Sequence, residues 1–214
     1  METLDALLHE AEIAHGHLCA GQILGVRMAM IGCDRLGIDE PRGKDRKRLV
    51  TFVEIDRCAT DAIGVVTGCR LGKRALKFRD WGKMAATFVD LSTGRAIRIA
   101  ARESSKELAR RLHPEIENKN QQQMTAYREL PDADLFTEQW VSVKLHPREF
   151  PGYKGERVTC SICGESINYD RFIRDGEAVV CLACAHPEDR YSQPLPDGPE
   201  SVTAPVAIPE TRRG

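Results

Sequence analysis

Residues 4–14 place Leu4, Leu7, Leu8, Ala11 and Ala14 on one side of a 3.6-residue period, which predicts an amphipathic helix. His15-Gly16-His17 interrupts it. A second helix is predicted from about Gly21 to Leu36, with Leu24, Met28 and Ile31 on one stripe. Its small residues Gly21, Gly25, Ala29 and Gly32 recur near every fourth position, a row that lets another backbone approach closely. The polar, basic stretch 41–48 (PRGKDRKR) reads as a solvated loop. Residues 49–56 (LVTFVEID) follow as a strand, and 58–68 (CATDAIGVVTG) as a short helix ended by Gly68. Between Leu76 and Ala101 two strands are predicted, KMAATFVDL and RAIRIAA, joined by a Ser92-Thr93-Gly94 hairpin turn. Asp80-Trp81-Gly82-Lys83 reads as a further turn. Ser104 and Glu107 stand at capping-box spacing and open a helix toward Leu112. A long polar helix over Glu115–Leu130 and a last strand, EQWVSVKLH, complete the series.

This order of helices and strands predicts an α+β fold: a mixed helix and antiparallel-sheet core over residues 1–150. The Pro/Gly-rich stretch 147–155 (PREFPGYKG) then leads to a small cysteine-bearing module over 151–190, and 191–214 is expected to be a flexible, proline-rich tail.

Composition narrows the function classes. A net charge of −1 provides no global field for nucleic acid or an anionic membrane. No apolar run approaches the ~18 residues of a membrane span. The N-terminus METLDALLHEAE is acidic and amphipathic, unlike a secretory or transit signal, so a cytoplasmic protein is expected.

In a reducing compartment, Cys160-x-x-Cys163 and Cys181-x-x-Cys184 read as metal ligands rather than disulfide partners. Two residues between ligands turn both thiolates toward one ion, and Gly164 permits the left-handed turn that follows. Four thiolates suit tetrahedral zinc with no open position, hence a structural site in a ribbon or treble clef. Buried or redox-paired cysteines, or iron in place of zinc, are the alternatives.

The other four cysteines are Cys19, Cys33, Cys58 and Cys69. Cys19 closes the loop His15-Gly16-His17-Leu18-Cys19 and sits just before a helix, whose dipole and free N–H groups favour a thiolate. A plain inter-helix turn with a half-buried cysteine and two solvated imidazoles explains the same residues. His17, Cys19, Cys58 and Cys69 together supply up to four soft or borderline ligands for zinc or another thiophilic ion. Without a metal, Cys19 is a candidate nucleophile or persulfide carrier with His15 or His17 as base. Asp61 and Lys83 are candidate pocket charges, against a helix-surface carboxylate and a turn lysine. Cys33, outside these motifs, is expected to be a packing residue.

Several stretches together resemble the FmdE family, named for a component of formylmethanofuran dehydrogenase. They are His15-Gly16-His17-x-Cys19-x-Gly21, Leu24-Gly25-x-Arg27-Met28-Ala29 and Asp56-x-Cys58-x-x-Asp61-Ala62-Ile63. Thr67-Gly68-Cys69, Gly72-Lys73 and Asp80-x-Gly82-Lys83-x-Ala85-x-Thr87-Phe88 continue the likeness, which covers about residues 8–190. Ala20, Gly64, Arg70 and Arg74 depart from it, where Pro, Gln and smaller or polar residues are usual. The resemblance implies an α+β core, a C-terminal zinc finger, a homodimer and a pocket lined by the His-Cys loop and later cysteines.

It also associates the chain with molybdenum or tungsten enzymes. The leading expectation is therefore a metal- and thiol-dependent accessory protein or enzyme of molybdenum/tungsten or one-carbon metabolism. It would hold finger zinc and a second metal or reactive thiol near Cys19. A molybdenum or tungsten enzyme and an unidentified small molecule are the expected partners, with nucleic acid and membrane not expected. A sulfur carrier for a molybdenum enzyme, or a zinc-finger regulator using the basic 41–48 loop, are the competing expectations.

Overall fold

The helix Ala20–Leu36 (α2) is the axis of the N-terminal unit. The computed structural model describes residues 1–192, so the tail expected over 191–214 lies, beyond its first two residues, outside the described residues. Leu4–His15 (α1) begins where Thr3 Oγ1 accepts from the Ala6 N–H and ends at Gly16, whose φ of 93° no β-carbon-bearing residue adopts readily. Cys58–Thr67 (α3) ends in the same way at Gly68, φ 66°.

The sheet comprises Leu49–Val53 (β1), Leu76–Phe78 (β2), Ala85–Asp90 (β3), Ala96–Ala101 (β4) and Phe136–Val141 (β5), in the order β2-β1-β3-β4-β5. All neighbours are antiparallel except β1 and β2. The pleat of the strands sends Val53, Phe88, Ile97 and Ile99 into one cluster with Ile23, Met28 and Ile63 of the helices. Val50, Val89 and Ala96 form a second, smaller cluster with Phe52 and Val141. At Gly32, a β-carbon would lie 2.3 Å from the Phe88 ring, so the small-residue row is where α2 meets the sheet.

Ser105–Leu112 (α4), Lys119–Glu129 (α5) and Asp132–Leu135 (α6) lie between β4 and β5 in the chain. Arg27 of α2 donates to the Tyr127 and Leu130 carbonyls, both at 2.7 Å, and ties the end of α5 down.

Four expectations need correction. The capping box at Ser104 does not form: Ser104 is itself in helical conformation, and Ser105 Oγ donates to the Arg102 carbonyl at 2.7 Å. The polar helix begins at Lys119 rather than Glu115, because Asn118 Oδ1 accepts from the Gln121 N–H and sets the start there. The last strand covers Phe136–Val141, the stretch paired with β4, and stops short of His146. The three-residue β2 lacked any periodic signal; its strand character comes from parallel pairing with β1.

The chain divides into two compact units after Tyr153. The second contains two hairpins, Val158–Thr159 (β6) with Ser166–Ile167 (β7) and Phe172–Asp175 (β8) with Ala178–Cys181 (β9). A single helical turn, Leu182–Ala185 (α7), follows. No described helix is long and apolar enough to cross a membrane.

Candidate functional site

The four C-terminal cysteines converge. One sulfur from each of Cys160, Cys163, Cys181 and Cys184 lies within 4.8 Å of the others, and Cys163 and Cys181 are 4.0 Å apart. A zinc ion at ~2.3 Å from each sulfur requires edges of about 3.8 Å, so the set fits tetrahedral zinc. Cys160 and Cys163 stand on a knuckle closed by the Gly164 N–H donating to the Cys160 carbonyl, with Gly164 at φ 75°. Cys181 ends β9 and caps α7, its sulfur accepting from the Cys184 N–H at 3.3 Å. Knuckle, hairpin and helix follow one another as in a treble clef.

Backbone N–H groups aimed at Cys160, first that of Cys181 and then that of Cys163, bring its thiol down to about 6. The Cys181 thiol beside Cys184 pushes that group up to about 12. A divalent cation held by the four sulfurs favours the thiolate form that binds it. Sequence reasoning missed Arg190. Its Nη2 donates to Cys184 Sγ at 2.9 Å and its Nε to the Ala183 carbonyl at 2.8 Å, placing a positive charge against a thiolate set that overcompensates the metal. His186, Glu188 and Asp189 form an exposed group beside it.

In the N-terminal unit the helices bring part of the expected pocket together. Cys19 is the N-cap residue of α2 and Cys58 the first residue of α3. Between them lies Gly21, where a β-carbon would be 3.4 Å from Cys58 Cβ and 3.7 Å from Cys19 Sγ. Burial first, and then the neighbouring Cys19 thiol, push the Cys58 thiol up. His15, the last residue of α1, meets Asp61 of the first turn of α3 with Nδ1–Oδ2 at 2.8 Å. The His17 ring lies 4.8 Å from that of His15, centroid to centroid. Gln22 fixes α1 to α2 by donating to the Ala11 carbonyl at 3.1 Å.

Cys69 does not join this group. It is buried in the core, accepting from Thr51 Oγ1 at 3.5 Å and donating to the Leu49 carbonyl at 3.6 Å. Burial pushes it up, and burial with Cys69 as neighbour pushes Cys33 to about 12, so both remain thiols. Gly68 turns the chain inward at this point, a direction that local sequence does not carry. The expected four-ligand set of His17, Cys19, Cys58 and Cys69 is accordingly not assembled. Among the described residues, the finger sulfurs and the His186 group are the sets of three or more potential ligands within mutual reach. Lys83 lies in the β2–β3 turn with its Nζ 5.8 Å from the Trp81 ring centroid.

Comparison with known proteins agrees with this architecture. Residues 14–137 match the family model described as FmdE, molybdenum formylmethanofuran dehydrogenase operon, and residues 153–190 match the prokaryotic dksA/traR C4-type zinc finger. A protein of Archaeoglobus fulgidus, named a probable S-adenosyl-L-methionine-binding protein, is 32% identical over 210 residues, covering 85% of this chain and 53% of the relative. The chain thus spans about half the length of that relative. A tungsten formylmethanofuran dehydrogenase FmdE-like protein from Syntrophus aciditrophicus shares the fold, with a TM-score of 0.60 at 20% identity over 88% of this chain and 95% of that one. With its core matched from the His-Cys loop to β5 and its four cysteines within the C4 finger match, the chain belongs to the FmdE family as a zinc-finger-bearing member.

Proposed function

We propose that this protein is a metal-binding accessory protein of molybdenum or tungsten, formylmethanofuran-type metabolism. The finger zinc is structural, and the Cys19–Cys58 pair is the working site. The observation carrying this reading is the meeting of two thiols at the starts of two helices, beside a His15–Asp61 pair. Two neighbouring sulfurs suit a thiophilic ion and leave its remaining positions open for a bound molecule. Both residues stand at the starts of helices, Cys19 as the N-cap of α2 and Cys58 as the first residue of α3. Asp61 fixes the His15 ring so that its other nitrogen is available to exchange a proton with a bound molecule.

The test is metal content by elemental mass spectrometry on metal-replete protein and on Cys19→Ser. Two ions per chain in the parent and one in the variant support the reading. One zinc in both overturns the second site.

The same adjacency favours a second reading, a sulfur carrier. A persulfide on Cys58 attacked by the Cys19 thiol would yield a Cys19–Cys58 disulfide and release hydrogen sulfide. Intact mass after incubation with a cysteine desulfurase and cysteine distinguishes it: a gain of one sulfur lost in Cys58→Ser supports it, and an unchanged mass removes it.

A further inference from the structure

A cavity of about 860 Å³ in the N-terminal unit lies between the ends of α1 and α3, the 41–48 loop and the turn after Cys69. Its charges are nearly all of one sign. Arg42, Arg46, Lys47, Arg70 and Lys73 line it, against the single carboxylate of Glu10. Glu10 is already engaged by Arg42, which also holds Glu2. Among the described residues, the Arg46 side chain reaches only the Gly43 carbonyl, at 3.3 Å. The side chains of Lys47, Arg70 and Lys73 have neither an ion-pair nor a hydrogen-bond partner among the described residues. In a chain of net charge −1, four cations without carboxylate partners among the described residues thus surround one concavity.

Solvated surface cations usually point apart, because like charges repel and nothing holds them together. Here these exposed cations share one concavity, and for Arg70 the packing shows how. Gly64 of α3 leaves open the space that Arg70 uses: a β-carbon there would be 2.8 Å from Arg70 Nη1. Between the cations, Ile13, Val65 and Ala75 supply an apolar wall. Guanidinium groups pair with phosphate and carboxylate in forked geometry, and a concave site strengthens that pairing relative to open water.

We propose that this cavity binds an organic polyanion, with phosphate or carboxylate groups on Arg46, Lys47, Arg70 and Lys73 and its carbon skeleton against Ile13 and Val65. Ile13 lies two residues before His15, and Val65 lies one helical turn beyond Asp61. A ligand seated there therefore occupies the same pair of helices that carries the imidazole–carboxylate pair. The site stands whether or not Cys19 and Cys58 take a metal. Its charge also separates it from an S-adenosyl-L-methionine site, since that molecule carries a cationic sulfonium and a single carboxylate.

The test is isothermal titration of the full chain at ~0.15 M salt, where long-range surface attraction is largely screened. The probes are ATP, tripolyphosphate, citrate and S-adenosyl-L-methionine. Saturable binding of ATP or citrate is expected, weakened by about tenfold or more in Arg70→Gln/Lys73→Gln, the loss of two charge-assisted contacts. It should be unchanged in Arg110→Gln/Arg111→Gln on α4. If the first variant does not fold, Arg46→Gln/Lys47→Gln in the loop replaces it with the same expected loss. ATP binding alone assigns phosphate, and citrate binding alone assigns carboxylate. No binding of any polyanion, equal weakening by the α4 variant, or binding of S-adenosyl-L-methionine in place of the polyanions overturns the proposal.

Discussion

Gly25 of α2 rests directly on the backbone of Ala59 in α3: a β-carbon at position 25 would lie 2.5 Å from the Ala59 carbonyl oxygen and 2.7 Å from its Cα. No rotamer relieves a clash with backbone, so the two helices approach this closely only because position 25 is glycine. Cys19 lies six residues before Gly25, and Cys58 immediately precedes Ala59. The contact that packs the helices therefore also brings the two thiols together.

Gly25→Ala is expected to force α2 and α3 apart. Overpacking should exceed the helix-propensity gain and destabilise the unit by about 2 kcal/mol. A lower urea midpoint checks the stability. Slower closure of the Cys19–Cys58 disulfide by a mild oxidant checks the separation. An unchanged midpoint and unchanged closure would mean that the helices adjust without parting.

Arg190→Ala is expected to weaken zinc in the finger by about tenfold, because its guanidinium no longer offsets the thiolate charge at Cys184. Competition with a chromophoric chelator reads the affinity directly. Removing zinc altogether should unfold the second unit, whose small hairpins bury few side chains, while the first unit retains its own core. Proteolytic cuts confined to residues beyond Tyr153 after chelation would show this.

Acid should loosen the sheet through Asp90. Burial opposes ionisation of its carboxylate, but Arg48, together with Ser92 and Thr93, more than compensates and holds Asp90 well below the usual carboxylate range. With the folded value lowered from 3.8, this pairing contributes fully above about pH 4 and is lost as the pH falls through the folded value. Urea midpoints measured between pH 6 and about pH 3 should therefore fall less steeply in Asp90→Asn than in the parent. The variant should already be less stable at pH 6, by about 2 kcal/mol, because the charge-assisted bond from Arg48 to position 90 is weakened while Arg48 keeps Asp45. Parallel curves would assign the acid response to other carboxylates.

The sequence by itself determined the local elements and the zinc ligands. The 3.6-residue periods of α1 and α2 and the strand-forming runs of β1, β3 and β4 are written in consecutive residues, and Gly16, Gly68 and Gly164 mark turns that need a left-handed backbone. The two Cys-x-x-Cys pairs are equally local, because each knuckle fixes its own geometry. Elements whose existence depends on a partner were not legible: β2 is a strand because β1 lies beside it, and the cap at Asn118 set a helix start that polar composition blurred. Tertiary structure alone decided which cysteines of the N-terminal unit meet. Cys58 and Cys69 are near each other in sequence and bracket the same helix, yet the Gly25–Ala59 contact pulls Cys58 to Cys19, while the turn at Gly68 sends Cys69 into the core beside Cys33. The same holds for the basic cavity, whose cations come from two loops more than twenty residues apart and converge because α1 and α3 pack between them. Which side chains face a common space depends on long-range packing, and no window of neighbouring residues contains that information.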